Sequence, residues 1–322
     1  MSGRRTSLQQ FNTPPASCHA GLWLDKFLAE DREDDKAKRA LVQAVSRIPE
    51  PAEYAAFFKR WEGGLQRAGV QVRRATVQTR MIVGLGAESV LETAIALHRT
   101  YGVPYIPGSA LKGMTAAFAR NRLEGWDQES EGYRTVFGTT DEMGYVSFFD
   151  ALYVPQSAAL PLVPDVMTPH HTAYTAGIGA PTDFDSPNPV SFLSATGTYL
   201  IALAGDPAWL DRVFTMMDHA FRESGIGAKT SSGYGRLTFE PPPHDAEHEQ
   251  AESLLMAIRA LRPHDVASRL GGFYTTWHNL ALKPTLKQQV AQALVDKVRE
   301  AGRERQSMDK PWYQDLLKTL NH

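Results

Sequence analysis

The segment Gly225-Ile226-Gly227-Ala228-Lys229-Thr230-Ser231-Ser232-Gly233-Tyr234-Gly235-Arg236 gathers glycine, hydroxyl and cationic residues into one short stretch. Glycine lets backbone N–H groups approach an anion closely, and Lys229 and Arg236 add positive charge. The hydroxyls of Thr230, Ser231 and Ser232 can donate to phosphate oxygens, and the Tyr234 ring can stack on a base or sugar. A nucleotide-hydrolysing P-loop is the nearest competitor, and it does not fit. That motif requires glycine directly before lysine, where Ala228 stands, and it leads from strand into helix rather than from helix into strand. A plain connecting turn is the alternative that residue types alone leave open.

A second segment, Tyr105-Ile106-Pro107-Gly108-Ser109-Ala110-Leu111-Lys112-Gly113, places a rigid Pro-Gly turn before a predicted helix. Free N–H groups and the dipole at a helix start favour a phosphate, and Lys112 in the first turn suits a bound anion better than it suits the dipole. Ser109 and Lys112 are therefore candidates, with an ordinary solvated lysine as the alternative. Arg120, farther along the same helix, is a further candidate for a polyanion, as are His98, Tyr101 and His170.

His98, His170, His171 and Asp165 raise a rival reading, a metal-independent endoribonuclease. Two imidazoles could share general acid and base work on a 2′-hydroxyl, with a lysine stabilising developing charge. His170 and His171 are adjacent, so they point in different directions in most backbone conformations. His98 falls in a helical-looking stretch, ETAIALHR, that suits a structural histidine, and Asp165 suits the cap of a turn. No His/Asp spacing is diagnostic of a metal. The expectation is a protein without catalytic residues, metal or cofactor.

The surrounding elements must hold these segments. Residues 1–20 read as an irregular arm, 21–47 and 51–67 as helical, and 69–83 as extended. Residues 108–123 read as a helix, 144–154 and 190–203 as strands. Residues 206–224 form a helix with Asp206 as cap, Pro207 in the first turn and Gly225 at its end, followed by the strand LTFE. From 69 to 240 the order is strand, helix, strand, strand, helix, strand. That order is the ferredoxin-like (RRM-like) α+β pattern, an antiparallel sheet with helices on one face. Residues 155–190, rich in Pro, Gly, Thr and His, interrupt it as a long insertion without secondary structure, a length that usually signals function. A Pro-rich acidic linker spans 241–250, and 251–322 reads as all-helical, with Leu280, Leu286, Val290, Leu294 and Val298 on one apolar face suited to docking or to internal packing. The predicted domains are an arm with helices (1–68), the α+β domain (69–240), the linker and the helical extension.

Bulk properties bound the reading. The chain has 322 residues, 43% of them hydrophobic, enough for a substantial core, and one cysteine, Cys18, which fits a reducing compartment. No apolar run approaches the ~20 residues of a membrane span, and no secretion signal is visible, so a cytoplasmic protein is expected. A net charge of −2 excludes a generically basic nucleic-acid binder, so any RNA surface must be confined to one face.

Taken together, PYIPGSALKG and GIGAKTSSGYGRL resemble the signature of the RAMP superfamily of CRISPR effector proteins. Leu91-Glu92-Thr93 to His98, Asp165 to His171, and Pro189-Val190-Ser191-Phe192-Leu193 resemble, more narrowly, the sixth-subunit family of Cmr (type III-B) complexes. The resemblance covers roughly residues 75–240. It implies a non-catalytic subunit of a cytoplasmic ribonucleoprotein in antiviral defence, at the end of a subunit filament and near the 3′ portion of the guide RNA (crRNA). The implied partners are the guide, its target RNA and other RAMP subunits, with no membrane. It also implies that insertion 155–190 is a thumb or its counterpart. Phosphate and guide contacts then fall to Ser109, Lys112, Gly227, Lys229, Thr230, Ser231 and Arg236, with Ser232 and Tyr234 in the same loop.

Overall fold

The computed structural model describes residues 8–320 except 9, 12, 16, 30–34, 92, 169–176, 178, 181–188, 242–245, 263–264 and 283. The chain divides into two compact units, Met1–Glu240 and Pro241–His322.

In the first unit, α1 (Ala20–Lys26), α2 (Asp35–Ser46) and α3 (Ala52–Arg67) precede β1 (Gln71–Val77). There follow β2 (Tyr105–Ile106), α4 (Gly108–Arg122), α5 (Glu131–Phe137), β3 (Ser147–Phe148), β4 (Ala151–Tyr153), β5 (Leu162–Met167), β6 (Val190–Ala195), β7 (Thr198–Ala204), α6 (Pro207–Glu223) and β8 (Leu237–Phe239). The main sheet is antiparallel in the order β2-β4-β7-β1-β8, with β3 also on β7. Along β1, Ala75 faces Tyr199 on one side and Phe239 on the other. Strand β7, TYLIALA, is buried at six consecutive positions, so both of its faces are covered. The same core contains Leu111 of α4, Phe214, Met217 and Phe221 of α6, and Tyr54 and Phe58 of α3. Tyr54 ties its helix to the sheet by donating its hydroxyl to the Tyr153 carbonyl at 2.6 Å. Each fully buried large side chain contributes about 1.5–3 kcal/mol, and α6 alone supplies Val213, Phe214, Met217 and Phe221 at 0% exposure.

Several elements differ from the sequence expectation. Residues 190–203 are two strands in two sheets, because the chain turns at Gly197, where φ is +86° and a β-carbon would lie 2.5 Å from the Tyr153 ring. Strand β6 pairs with β5 in a separate ribbon, Leu162 opposite Ala195 and Asp165 opposite Phe192. Part of the insertion 155–190 is therefore a strand; most of the remainder lies outside the described residues. The ribbon packs on α2 through Leu162, Leu193, Val42 and Val45, and α1 joins the same cluster against α2. Residues 144–154 are two short strands, and 21–47 are two helices. The stretch before His98 is extended rather than helical: Ala96 donates to the Val83 carbonyl at 2.7 Å and His98 to that of Val103 at 2.7 Å. Its apolar residues follow the sheet edge, and a helical spacing over so few positions does not outweigh those ladder bonds.

The second unit is helical: α7 (Ala246–Arg259), α8 (Val266–Asn279), α9 (Pro284–Glu300), α10 (Glu304–Ser307) and α11 (Pro311–Leu320). Leu286, Val290, Leu294 and Val298 are buried in this unit's own core with Trp277 and Tyr313, and Leu280 packs against it half-buried. The apolar face seen in the sequence is thus used for internal packing. Trp277 donates its indole N–H to the Lys287 carbonyl at 2.9 Å. No helix among the described residues is long and apolar enough to cross a membrane.

Candidate nucleic-acid interface

Helix α6 ends where Ser224 and Gly225 both donate to the Ala220 carbonyl, at 2.9 and 2.8 Å, and the glycine-rich segment begins. Much of its glycine content serves the loop's own packing. Ile226 donates to the Gly235 carbonyl at 2.8 Å, Ala228 to that of Ile82 at 2.8 Å and Gly235 to that of Arg80 at 2.7 Å. A β-carbon on Gly227 would lie 2.1 Å from the Ile82 carbonyl oxygen, and one on Gly235 1.9 Å from that of Ile226. The loop is therefore pinned to the strand segment after β1, and those glycines are required by that approach before any ligand is considered.

What the pinned loop leaves outward is its crest. Lys229 has φ +56° and ψ +32°, a left-handed conformation, and precedes a single 3-10 turn over Thr230–Ser232. The N–H groups of Lys229, Thr230 and Ser231 have no partner among the described residues, whereas those of Ser232 and Gly233 bond back to Lys229 and Thr230 at 3.0 and 3.1 Å. Ser231 and Ser232 are exposed; Lys229, Thr230 and Arg236 are half-buried. Arg236 reaches the Thr230 carbonyl at 3.5 Å through one terminal nitrogen, and its other terminal nitrogen is buried without an acceptor among the described residues.

The two sequence segments meet. A cleft of about 710 Å³ is walled on one side by Gly225, Gly227 and Thr230 and on the other by Ala110, Gly113, Ala117, Asn121 and Arg122 of α4. Small residues spaced three and four apart open that face of α4 to the loop. Asn121 and Arg122 were missed in the sequence; the 110-113-117-121 spacing is the signal that finds Asn121, and Arg122 lies on the adjacent face with Met114 and Phe118. Ser109 and Arg120 are exposed and Lys112 half-buried on the same helix, but none of the three lines the cleft.

Other expectations need correction. The start of α4 already holds a carboxylate, since Asp150 accepts the Gly108 N–H at 2.8 Å, so an external phosphate is not the helix's first partner. Tyr234 is held in place within the loop: its hydroxyl donates to Asp165 at 2.8 Å and its ring lies 6.2 Å from that of Phe192. Burial and the Asp165 carboxylate push the Tyr234 phenol up to about 12, so it remains a donor at neutral pH. Asp165 is fully engaged, also accepting its own neighbour Val166 N–H at 2.9 Å, Ser194 at 3.4 Å and Arg80 at 3.4 Å. It joins the root of the ribbon to the glycine-rich loop. His98 and Tyr101 lie elsewhere, in a ring cluster with Phe57 whose centroids are 4.9–5.4 Å apart. Burial holds the His98 imidazole below its usual range. The residues of the nuclease reading are thus not assembled among the described residues, and His170 and His171 lie outside them. Among the described residues no group of His, Cys, Asp and Glu could hold a metal ion.

The family model of the RAMP superfamily matches residues 74–238, more than half the chain. The chain is 29% identical over 259 residues to CRISPR system Cmr subunit Cmr6 of Pyrococcus furiosus, covering 61% of this chain and 76% of that protein. It is 28% identical over 169 residues to the Cmr6 of Saccharolobus solfataricus, covering 50% of this chain and 57% of that one. Among solved structures, a chain of the Type III-B Cmr-beta bound to cognate target RNA shares the fold with a TM-score of 0.53 and 22% identity, over 66% of this chain and 78% of that one.

Proposed function

The chain belongs to the RAMP superfamily, and from that premise we propose that it is a non-catalytic, RNA-binding subunit of a type III-B CRISPR effector complex, in the place of the sixth Cmr subunit. In this reading it holds the 3′ part of the guide RNA and caps the subunit filament, and the ribbon with the insertion it carries is the thumb or its counterpart. The strand order β4-β7-β1-β8, with α4 and α6 as the two connecting helices, supports a ferredoxin-like assignment of the sheet. The observation that carries the proposal is the meeting of both glycine-containing segments on one cleft. Unpaired N–H groups, two hydroxyls, Lys229 and Arg122 converge there or beside it, a donor set suited to sugar–phosphate oxygens rather than to base edges.

The chemistry is retention, not cleavage. A phosphate at the crest receives backbone and hydroxyl donors from a loop already fixed by its bonds to Arg80 and Ile82, so little ordering is needed on binding. The test is the affinity of the full chain for single-stranded RNA at fixed salt. The double variant Arg122→Gln with Lys229→Ala should weaken binding while the folded state persists. Unchanged affinity would remove the loop from the interface.

A further inference from the structure

The β5–β6 ribbon and the glycine-rich loop are joined by two residues, each of which holds both. Tyr234 closes the crest with its backbone, donating its N–H to the Lys229 carbonyl at 3.4 Å, while its hydroxyl donates to Asp165 of β5 at 2.8 Å. Arg80 works from the other side. Its carbonyl accepts the Gly235 N–H at 2.7 Å, and its guanidinium donates to the Pro164 carbonyl at 2.9 Å and to Asp165 at 3.4 Å. Ser194 of β6 donates to the same carboxylate at 3.4 Å, so Asp165 gathers the loop, the segment after β1 and both strands of the ribbon.

The position of this bracket along the ribbon gives it leverage. Leu162, at the base of β5, is fully buried in the cluster with α2, whereas Val166, directly after Asp165, is 49% exposed. Among the described residues no hydrogen bond or ion pair ties β5 to the loop beyond Asp165. The bracket is therefore the outermost such tether before the chain enters the insertion. The Asp165 side chain is 20% exposed, so the donors around it, more than water, fix its direction.

A phosphate at the crest takes the N–H groups of Lys229, Thr230 and Ser231 and holds that turn in one conformation. The bond from Tyr234 to Lys229, long at 3.4 Å, has room to shorten, and the Tyr234 side chain carries the constraint on to Asp165. We propose that Asp165 is a positioning residue that couples the two: RNA held at the crest fixes the outward course of the ribbon. By linkage, a fixed ribbon in turn strengthens the hold on RNA. The inference rests on the RNA reading and adds to it a mechanical link between the loop and the insertion.

The test is amide hydrogen exchange of the full chain, free and saturated with single-stranded oligouridylate, read by mass spectrometry over β5, β6 and α3. In the parent, RNA should slow exchange in β5 and β6 more than in α3, which the bracket does not touch. Asp165→Asn and Tyr234→Phe should each lose this selective slowing at saturating RNA. A purely structural Asp165 would instead speed ribbon exchange equally with and without RNA, leaving the ratio intact, and that result overturns the proposal. Slowing that persists in both variants also overturns it, since RNA would then touch the ribbon directly. RNA binding by the parent with no change in the ribbon overturns the coupling and leaves the RNA reading standing. No binding by the parent overturns the RNA reading itself, and the coupling with it. Far-UV circular dichroism checks that each variant is folded, and Tyr234→Phe, which removes only a hydroxyl, carries the test should Asp165→Asn fail to fold.

Discussion

Replacing Lys229 with glycine separates two things this residue does. Its backbone lies at φ +56°, a conformation shared among the described non-glycine residues only by Gln156. Holding a β-carbon there costs about 1–2 kcal/mol. Glycine relieves that strain but gains freedom in the unfolded chain worth about 0.5–1 kcal/mol. The net effect of Lys229→Gly on stability is then between about zero and 1.5 kcal/mol favourable, a rise in Tm of a few degrees at most. The lost ammonium acts in the opposite direction on binding. Each phosphate contact to a single strand contributes about 0.7 to the slope of log affinity against log salt. Lys229→Gly should therefore fold at least as well as the parent, bind single-stranded RNA more weakly, and show a salt slope shallower by about 0.7. Lys229→Ala should lose the same slope without the gain in Tm. Calorimetry and anisotropy titrations over a salt series read both quantities. A lowered Tm for the glycine variant would mean that the lysine side chain holds the loop together. An unchanged slope would mean that it touches no phosphate.

The remaining predictions follow the same loop and its supports. Gly235→Ala places a carbon 1.9 Å from a backbone oxygen at φ +72°, so where a compatible glycine-to-alanine change gains about 0.4–1 kcal/mol, this one should cost about 2–4 kcal/mol by urea unfolding. Arg122→Gln, at an exposed position on the cleft wall, should leave the unfolding midpoint unchanged and reduce the salt slope by about 0.7. The Tyr234 phenol is raised from 10 to about 12 in the folded state, so its hydrogen bond to Asp165 stabilises fully below pH 10 and is lost as pH rises toward 12. Tyr234→Phe should accordingly be less stable than the parent at neutral pH and lose less stability across that alkaline window, as followed by unfolding at stepped pH. Asp165→Asn should loosen the same link, and faster amide hydrogen exchange at Gly233 and Tyr234 would report it.

The helices of this protein were largely legible because their signals are local. Asp206 caps α6 by accepting from Ala208 at 2.9 Å, and Pro207 and Gly225 bracket it. The sheet was less legible because its boundaries depend on contacts distant in sequence. Nothing near Gly197 shows that the Tyr153 ring occupies the space of its β-carbon, so one apparent strand proved to be two. The segment leading to His98 has an ambiguous apolar spacing, and pairing with Val83 and Val103 decides it. At the candidate site, residue types identified the loop and the start of α4 but not the pairing within them. Tyr234 and Asp165 lie 69 positions apart and engage each other, which fixes the orientation of the tyrosine ring and occupies the aspartate's oxygens. Asn121 and Arg122 carry no motif; Asn121 follows Ala110, Gly113 and Ala117 at helical spacing, and Arg122 reaches the cleft from the neighbouring face with Met114 and Phe118.

The central claim, an RNA-binding subunit of a type III-B effector complex, is tested most directly by purifying the tagged chain from its native host and sequencing the nucleic acid that accompanies it. The account predicts short guide RNAs with a repeat-derived 5′ tag, recovered together with several other protein subunits. Recovery of the chain alone and free of RNA would contradict it.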